Sequence, residues 1–224
     1  MTLVVPYYEN QTFLQTQTDV WREYPPDLAR HLSIVLVDDG SPVPCVKPVG
    51  VPCALRLFRI EVDVRWNWLA ARNIGAHVAA DGWLLLTDMD HVLPIGTLDA
   101  IVHGAHAPGT VYAFSRREHT GAAVAPHSAS FLMTRDTFWN IGGYDEALSG
   151  HYGTDGDYRR RMAKVAPLAL LRDELVRHEY QGDSSTTRYK RKQPEDAAVK
   201  RLIAARRPGW RPRALSFQYH EVGA

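Results

Sequence analysis

The stretch Trp83-Leu84-Leu85-Leu86-Thr87-Asp88-Met89-Asp90-His91-Val92-Leu93-Pro94 decides how this chain is read. Gly82 precedes it, Pro94 closes it, and the apolar run between them has the length of a buried strand. That run stops on two carboxylates one residue apart. In an open α/β sheet the carboxyl ends of the strands form the crevice where ligands bind, so Asp88 and Asp90 are expected at a site. Hard divalent ions such as Mg²⁺ and Mn²⁺ take one or two carboxylates and leave the other positions to water and substrate phosphates. Holding such an ion is the work this pair suits; a solvated turn or a helix cap would use the same residue type.

Upstream, Leu3-Val4-Val5-Pro6-Tyr7-Tyr8 reads as a buried strand ending at a proline, and Asn10 as the N-cap of a helix to about Tyr24. Residues 32–37 form a second buried strand that ends on Asp38-Asp39-Gly40-Ser41-Pro42. Two apolar strands with a helix between them make a parallel βαβ unit. Pro44, Pro48 and Pro52 make 43–52 a loop, and 54–60 is a third strand. From Trp66 onward, Leu69, Ala70, Ile74 and Val78 form a helical stripe that takes in Asn73. Beyond Pro94 the spacing predicts a helix over 96–105, strands at 111–114 and 131–133, and a helix over 136–141 stopped by Gly142-Gly143. A helix over 155–166 and a strand at 168–171 follow. After Gly182 the chain turns basic, with one more helix over 194–206.

At 224 residues, 45% apolar and 23% charged, the chain has the composition of a globular protein with a substantial core. No apolar run approaches the roughly 20 residues that span a bilayer. Leu3-Val4-Val5 runs into Pro6 without the basic and hydrophobic regions of a secretory signal, so a cytoplasmic protein with no transmembrane segment is expected. Cys45 and Cys53, with no second pair to complete a zinc site, read as free thiols. The net charge of +1 hides an asymmetry. Between Thr187 and Arg213 ten basic residues stand against Glu195 and Asp196, a net +8 that leaves −7 for the rest.

Five motifs fall in one order: Val-Val-Pro-Tyr-Tyr at 4–8, Val-Asp-Asp-Gly-Ser at 37–41, Ala-Ala-Arg-Asn-Ile-Gly at 70–75, the Asp88–Asp90 pair, and Gly-Gly-Tyr-Asp-Glu at 142–146 followed by Gly-Thr-Asp-Gly-Asp at 153–157. Over roughly residues 2–180 this resembles the family 2 glycosyltransferases of the GT-A fold. The resemblance implies a Rossmann-like mixed α/β sheet, its parallel nucleotide-binding half flanked by helices, plus a smaller acceptor-side sheet. It implies a catalytic domain at 1–182, divided into a nucleotide-sugar-binding half at 1–94 and an acceptor-binding half at 95–182. A basic extension at 183–224 would pack on the site or close over it. It further implies a nucleotide-diphosphate sugar donor, UDP-linked for preference, a hydroxyl-bearing acceptor, Mn²⁺ or Mg²⁺, and inversion at the anomeric carbon.

Carried onto matching positions, Asp39 is the acid that meets the base, where a carboxylate facing an imide N–H makes a charge-assisted hydrogen bond. Asp38 serves equally as a turn residue with Gly40. Pro6 and Tyr7 match the strand end that packs on base and ribose, and Tyr7 also reads as a half-buried core tyrosine. Arg72 can reach base or phosphate, or a surface acid, while Asn73 can tie its helix to a loop. The family's acidic motif often reads Asp-x-Asp-Asp, whereas Thr87 and Met89 stand at its first and third positions here. Counting back from Pro94 makes Asp90 the metal ligand and leaves Asp88 for the ribose or a water-mediated metal contact. His178 matches a position where some members carry a metal-binding histidine, though a lone histidine is more often structural. His127 and His151 fall on the acceptor side, and His91 adjoins the acidic pair.

Asp155 is the expected catalytic base. It opens a helix on the face of Tyr158 and Met162, where the helix N-terminus favours the ionised form that a base needs; a plain N-cap aspartate is the structural alternative. Asp157 points toward Arg161 as a surface i,i+4 pair. Arg188 or Lys190 would close over the diphosphate. The basic tail, with Tyr189, Trp210, Phe217 and Tyr219 interleaved, reads as a segment docked on the core or as a nucleic-acid surface. The rival functions are therefore a non-catalytic or DNA-directed protein of this fold, and a nucleotidyltransferase. The latter usually has a glycine-rich phosphate loop where this chain reads Pro6-Tyr7-Tyr8-Glu9-Asn10.

Overall fold

Four parallel strands in the order β3-β2-β1-β4 bring the ends of the apolar runs to one edge: β1 (Thr2–Tyr7), β2 (Ser33–Asp38), β3 (Ala54–Ile60) and β4 (Trp83–Leu86). The computed structural model describes residues 1–178 and 194–223. Helix α1 (Gln11–Arg22) covers one sheet face, its N-terminus capped by the Asn10 side chain, which accepts from Phe13 N–H. A single turn, α2 (Pro26–Ala29), follows it, and α3 (Trp68–Val78) covers the other face.

Alternation along each strand sorts the core into two layers. Leu3, Val5, Tyr7 and Leu36 pack with Phe13, Leu14 and Trp21 of α1, whereas Val4, Val35 and Val37 pack with Leu69, Ala70 and Ile74 of α3. Gly75 lets α3 sit close, since a Cβ there would lie 2.2 Å from Val4 Cγ1.

Past β4 the chain turns through Thr87–Asp90 and continues as β5 (His91–Val92), α4 (Ile95–His103), β6 (Val111–Glu118), β7 (Ala123–Val124), β8 (Phe131–Thr134) and α5 (Arg135–Asn140). A 3₁₀ turn at Glu146–Leu148 leads to α6 (Asp155–Val165) and β9 (Leu168–Arg177). Because β8 pairs antiparallel with β4, the strands of the second half extend the same sheet in the order β4-β8-β6-β9-β5. Strand β9 runs well past Leu171: the register with β6 shifts between Phe114 and Ser115, so that Arg172 and Asp173 bulge out and pairing resumes at Glu174. That extension sets Arg177 opposite His91 and lets His178 N–H donate to Asp90 O (2.9 Å).

After α7 (Pro194–Ala204) the chain crosses the molecule and ends as β10 (Tyr219–Glu221), antiparallel to β3 at the sheet edge. Three residues behind a basic segment carry too little alternation to announce a strand. Among the described residues no helix is long and apolar enough to cross a membrane.

Candidate active site

The loop after β2 explains why two adjacent aspartates differ. Asp38 Oδ1 accepts from Ser41 N–H (2.9 Å), and Oδ2 accepts from Cys45 N–H (2.9 Å) and from Arg59 (2.5 Å). It is a loop-building residue. Gly40 is left-handed at φ 73°, and a Cβ there would come 2.2 Å from Val62 O, so the loop admits only glycine. Asp39 is partnered differently. It is buried, its Oδ1 has no hydrogen-bond partner, and burial, with the charges of Asp38 and Asp63, pushes its pKa well above the ordinary range against one backbone hydrogen bond from Asn67. An unsatisfied buried acceptor of this kind costs roughly 1–3 kcal/mol unless a ligand N–H fills it.

Tyr7 lies on the Asp38 side of β1, in the core, with its hydroxyl pushed up to about 12 by burial. Its backbone, not its ring, adjoins Asp39, through Asp39 N–H to Tyr7 O (2.8 Å). Pro6 is buried one residue earlier, on the α3 side of the strand. Cys45 and Cys53 are both buried and unbridged.

Arg72 is wholly buried in α3 and does not lie at a surface edge of its helix. Its guanidinium donates to Ala129 O (2.5 Å), to Tyr144 Oη (2.9 Å) and to Asp88 Oδ1 (2.5 Å). Burial works to raise the Asp88 pKa, but the Arg72 charge, helped by His127 and His91, holds it below the ordinary carboxylate range. Arg72 therefore acts by holding Asp88 in place.

Asp90 is held by a different relay. Arg116 Nη1 lies 3.1 Å from His91 Nε2, and His91 Nδ1 lies 2.7 Å from Asp90 Oδ1. Arginine only donates, so His91 Nε2 accepts, and the imidazole proton sits on Nδ1 and points at Asp90. The buried His91 ring stacks on His127 at 4.3 Å. His127 Nδ1 bonds Ser130 Oγ (2.9 Å), its Nε2 stands 3.4 Å from Asp88 Oδ2, and burial lowers its pKa to about 4. It thus sits beside the acidic pair. His151 lies in the turn after the 3₁₀ segment, its N–H donating to Leu148 O (3.3 Å).

The donor chemistry here fits a divalent cation. Each carboxylate has one oxygen pinned at hydrogen-bond distance, Asp88 Oδ1 by Arg72 and Asp90 Oδ1 by His91, while the other oxygen lies 3.4 Å from the His127 imidazole (Asp88) and 3.8 Å from the Arg177 guanidinium (Asp90). His178 stacks on His119 at 5.6 Å, and burial together with His119 lowers its pKa against the pull of Asp90. Among the described residues no three His, Cys, Asp or Glu side chains converge into a cage, so such an ion would be completed by its ligand's phosphates.

Asp155 is half-buried in the first turn of α6 and its charge acts on Tyr144, the tyrosine that Arg72 ties to Asp88. Asp157 is a different matter and corrects the surface reading. It is buried and takes Arg206 Nη1 on Oδ1 (2.5 Å) in addition to Arg161 on Oδ2 (3.1 Å). The basic tail is likewise engaged: Arg206 lies 3.6 Å over the Trp210 ring, and Phe217 and Tyr219 pack against the core. Arg188 and Lys190 lie outside the described residues. Sequence reasoning gave no part to Arg116, Ser130 or Tyr144, and only their partners far along the chain reveal one.

No protein-family model matches this sequence, and no curated protein does. Solved structures do. TarS of S. aureus in complex with UDP-GlcNAc superposes with a TM-score of 0.68 at 16% identity, over 91% of this chain and 65% of that one. GalNAc-T7 with UDP, GalNAc and Mn²⁺ gives 0.60 at 16%, over 82% and 45%. The mannosyltransferase PcManGT of Pyrobaculum calidifontis with GDP-Man and Mn²⁺ gives 0.57 at 19%, over 78% and 55%. The chain therefore has the GT-A fold of these glycosyltransferases, and it spans less than two thirds of their length.

Proposed function

We propose that the protein is an inverting glycosyltransferase that moves a sugar from a nucleotide-diphosphate sugar, UDP-linked, onto an acceptor hydroxyl. The observation that carries this reading is the buried, unpartnered oxygen of Asp39 at the carboxyl end of β2, in a fold whose solved examples hold UDP, UDP-GlcNAc and GDP-Man. An acceptor there suits the ring N–H of uracil, as it would that of guanine, and leaves adenine, which offers no ring N–H at that edge, without a match.

In this reading Arg72 holds Asp88 toward the ribose side, and the Arg116–His91 relay holds Asp90. A divalent cation held by Asp90 would supply charge neutralisation to the leaving diphosphate. Asp155 takes the proton of the acceptor hydroxyl as that oxygen attacks the anomeric carbon. The bond from that carbon to the diphosphate oxygen breaks, and the nucleoside diphosphate leaves with the electron pair.

Thermal-shift measurements with a panel of nucleotide sugars, with and without Mn²⁺, test this. A metal-dependent rise in Tm with one donor, followed by release of its nucleoside diphosphate, is the expected result. No shift with any donor overturns the proposal.

A further inference from the structure

The Gly-Gly-Tyr-Asp-Glu segment faces two ways. Toward α3, Asn73 Oδ1 accepts from Tyr144 N–H (2.8 Å), Asn73 Nδ2 donates to Tyr144 O (2.9 Å), and Tyr144 Oη receives Arg72. Gly143 permits this, because a Cβ there would lie 2.8 Å from Asn73 Oδ1. On its other side, the same segment grips the C-terminal chain. Gly142, at φ 93°, leaves room for Pro212, whose Cγ would be 2.6 Å from a Cβ. Asp145 accepts from Arg213 N–H (3.0 Å) and from Arg206 Nη2 (2.7 Å). Buried Glu146 accepts from Leu215 N–H (2.8 Å), Ser216 N–H (2.7 Å), Ser216 Oγ (2.5 Å) and Asn73 Nδ2 (2.8 Å).

Arg206 closes the arrangement. Its two terminal nitrogens join Asp145 to Asp157, and Asp157 lies in the first turn of α6, two residues after Asp155. Three buried carboxylates, Asp145, Glu146 and Asp157, would lose partners if residues 205–216 left this surface, and unpaired buried charges are strongly destabilising. An edge strand alone would not need such a clasp; β10 is already anchored by its pairing with β3 and by Arg56 on Glu221 (2.7 Å).

We propose that residues 205–216 form a strap that fixes the first turn of α6 against the segment carrying Tyr144, and that Arg206 is a positioning residue for Asp155. The part concerning catalysis rests on the function proposed above; the mechanical part does not. Two readouts on Arg206→Gln and Arg206→Lys separate them. Amide hydrogen exchange over 155–160 should quicken by at least about tenfold in Arg206→Gln, with α3 changed by less than about twofold. With the donor found in the screen, kcat should fall at least about tenfold while the donor KM stays within about threefold, and Arg206→Lys should recover part of the loss. If Arg206→Gln fails to fold, Asp157→Asn carries the same exchange measurement. Unchanged exchange at 155–160, or kcat and KM shifting in parallel with global unfolding, overturns the strap. Faster exchange in a protein that turns over no nucleotide sugar would instead uphold the strap and defeat the proposed activity.

Discussion

Two sets of carboxylates in this molecule share a chemistry and differ in their company. Asp38, Asp145, Glu146 and Asp157 are buried and ringed by donors from loops, from Arg59, Arg161 and Arg206, and from the C-terminal strap. Asp39, Asp88, Asp90 and Asp155 stand at the ends of β2, β4 and at the start of α6, and the first three each keep an oxygen without a hydrogen bond among the described residues. Members of the two sets are neighbours in sequence: Asp38 beside Asp39, Asp157 two residues from Asp155. What separates structural acid from ligand-directed acid is donor saturation, which position alone does not reveal.

The largest effect should fall on Asp155. General-base assistance contributes ~10²–10⁴-fold, so Asp155→Asn should lose at least that in transfer while its UDP affinity and stability stay near those of the wild type. Near-normal transfer by this variant would move Asp155 into the structural set. Glu146→Ala tests the other side. Its partners are neutral donors, and each one left unsatisfied costs roughly 1–3 kcal/mol, so urea denaturation should show a loss of at least that size. An Asp155→Asn variant that lost as much would erase the contrast.

Asp39→Asn should weaken UDP binding by about 10–100-fold, the worth of a hydrogen bond to a charged group, and leave stability unchanged or raised because burial already penalises the carboxylate. The smallest effect concerns pH. Burial works to raise the Asp157 pKa, but Arg206 and Arg161 outweigh it and hold it below the ordinary 3.8. As pH falls below 3.8 the unfolded chain takes up that proton first, so the contribution of Asp157 is full at neutral pH and lost in acid. Unfolding free energies measured from pH 3 to pH 7 should therefore give a lower but flatter profile for Asp157→Asn, the difference in slope being at most ~1.4 kcal/mol per pH unit. A profile parallel to the wild type would remove Asp157 from the saturated set.

Periodicity and punctuation made the parallel half readable. Apolar runs at 3–5, 34–37 and 84–86 end on polar residues, and the α3 stripe already placed Asn73 where it ties helix to loop. The positions of Asp39 and Asp88 just past strand ends were legible for the same reason. The wiring between them was not. A helical stripe gives Arg72 a face, but nothing local says that the face meets the Asp88 turn and Tyr144. Arg206 and Asp145 lie 61 residues apart, so a run of basic residues looked solvated when one of them bridges two buried acids. Strand β9 hid its length behind a bulge at Arg172 and Asp173, where charge mimics a strand end.

Isothermal titration of UDP in the presence of Mn²⁺ into the wild type, Asp39→Asn and Asp157→Asn tests the central division most directly. The account predicts binding by the wild type, at least about tenfold weaker binding by Asp39→Asn, and affinity within about threefold of the wild type for Asp157→Asn. Equal affinity in all three proteins, or no UDP binding by any of them, would contradict it.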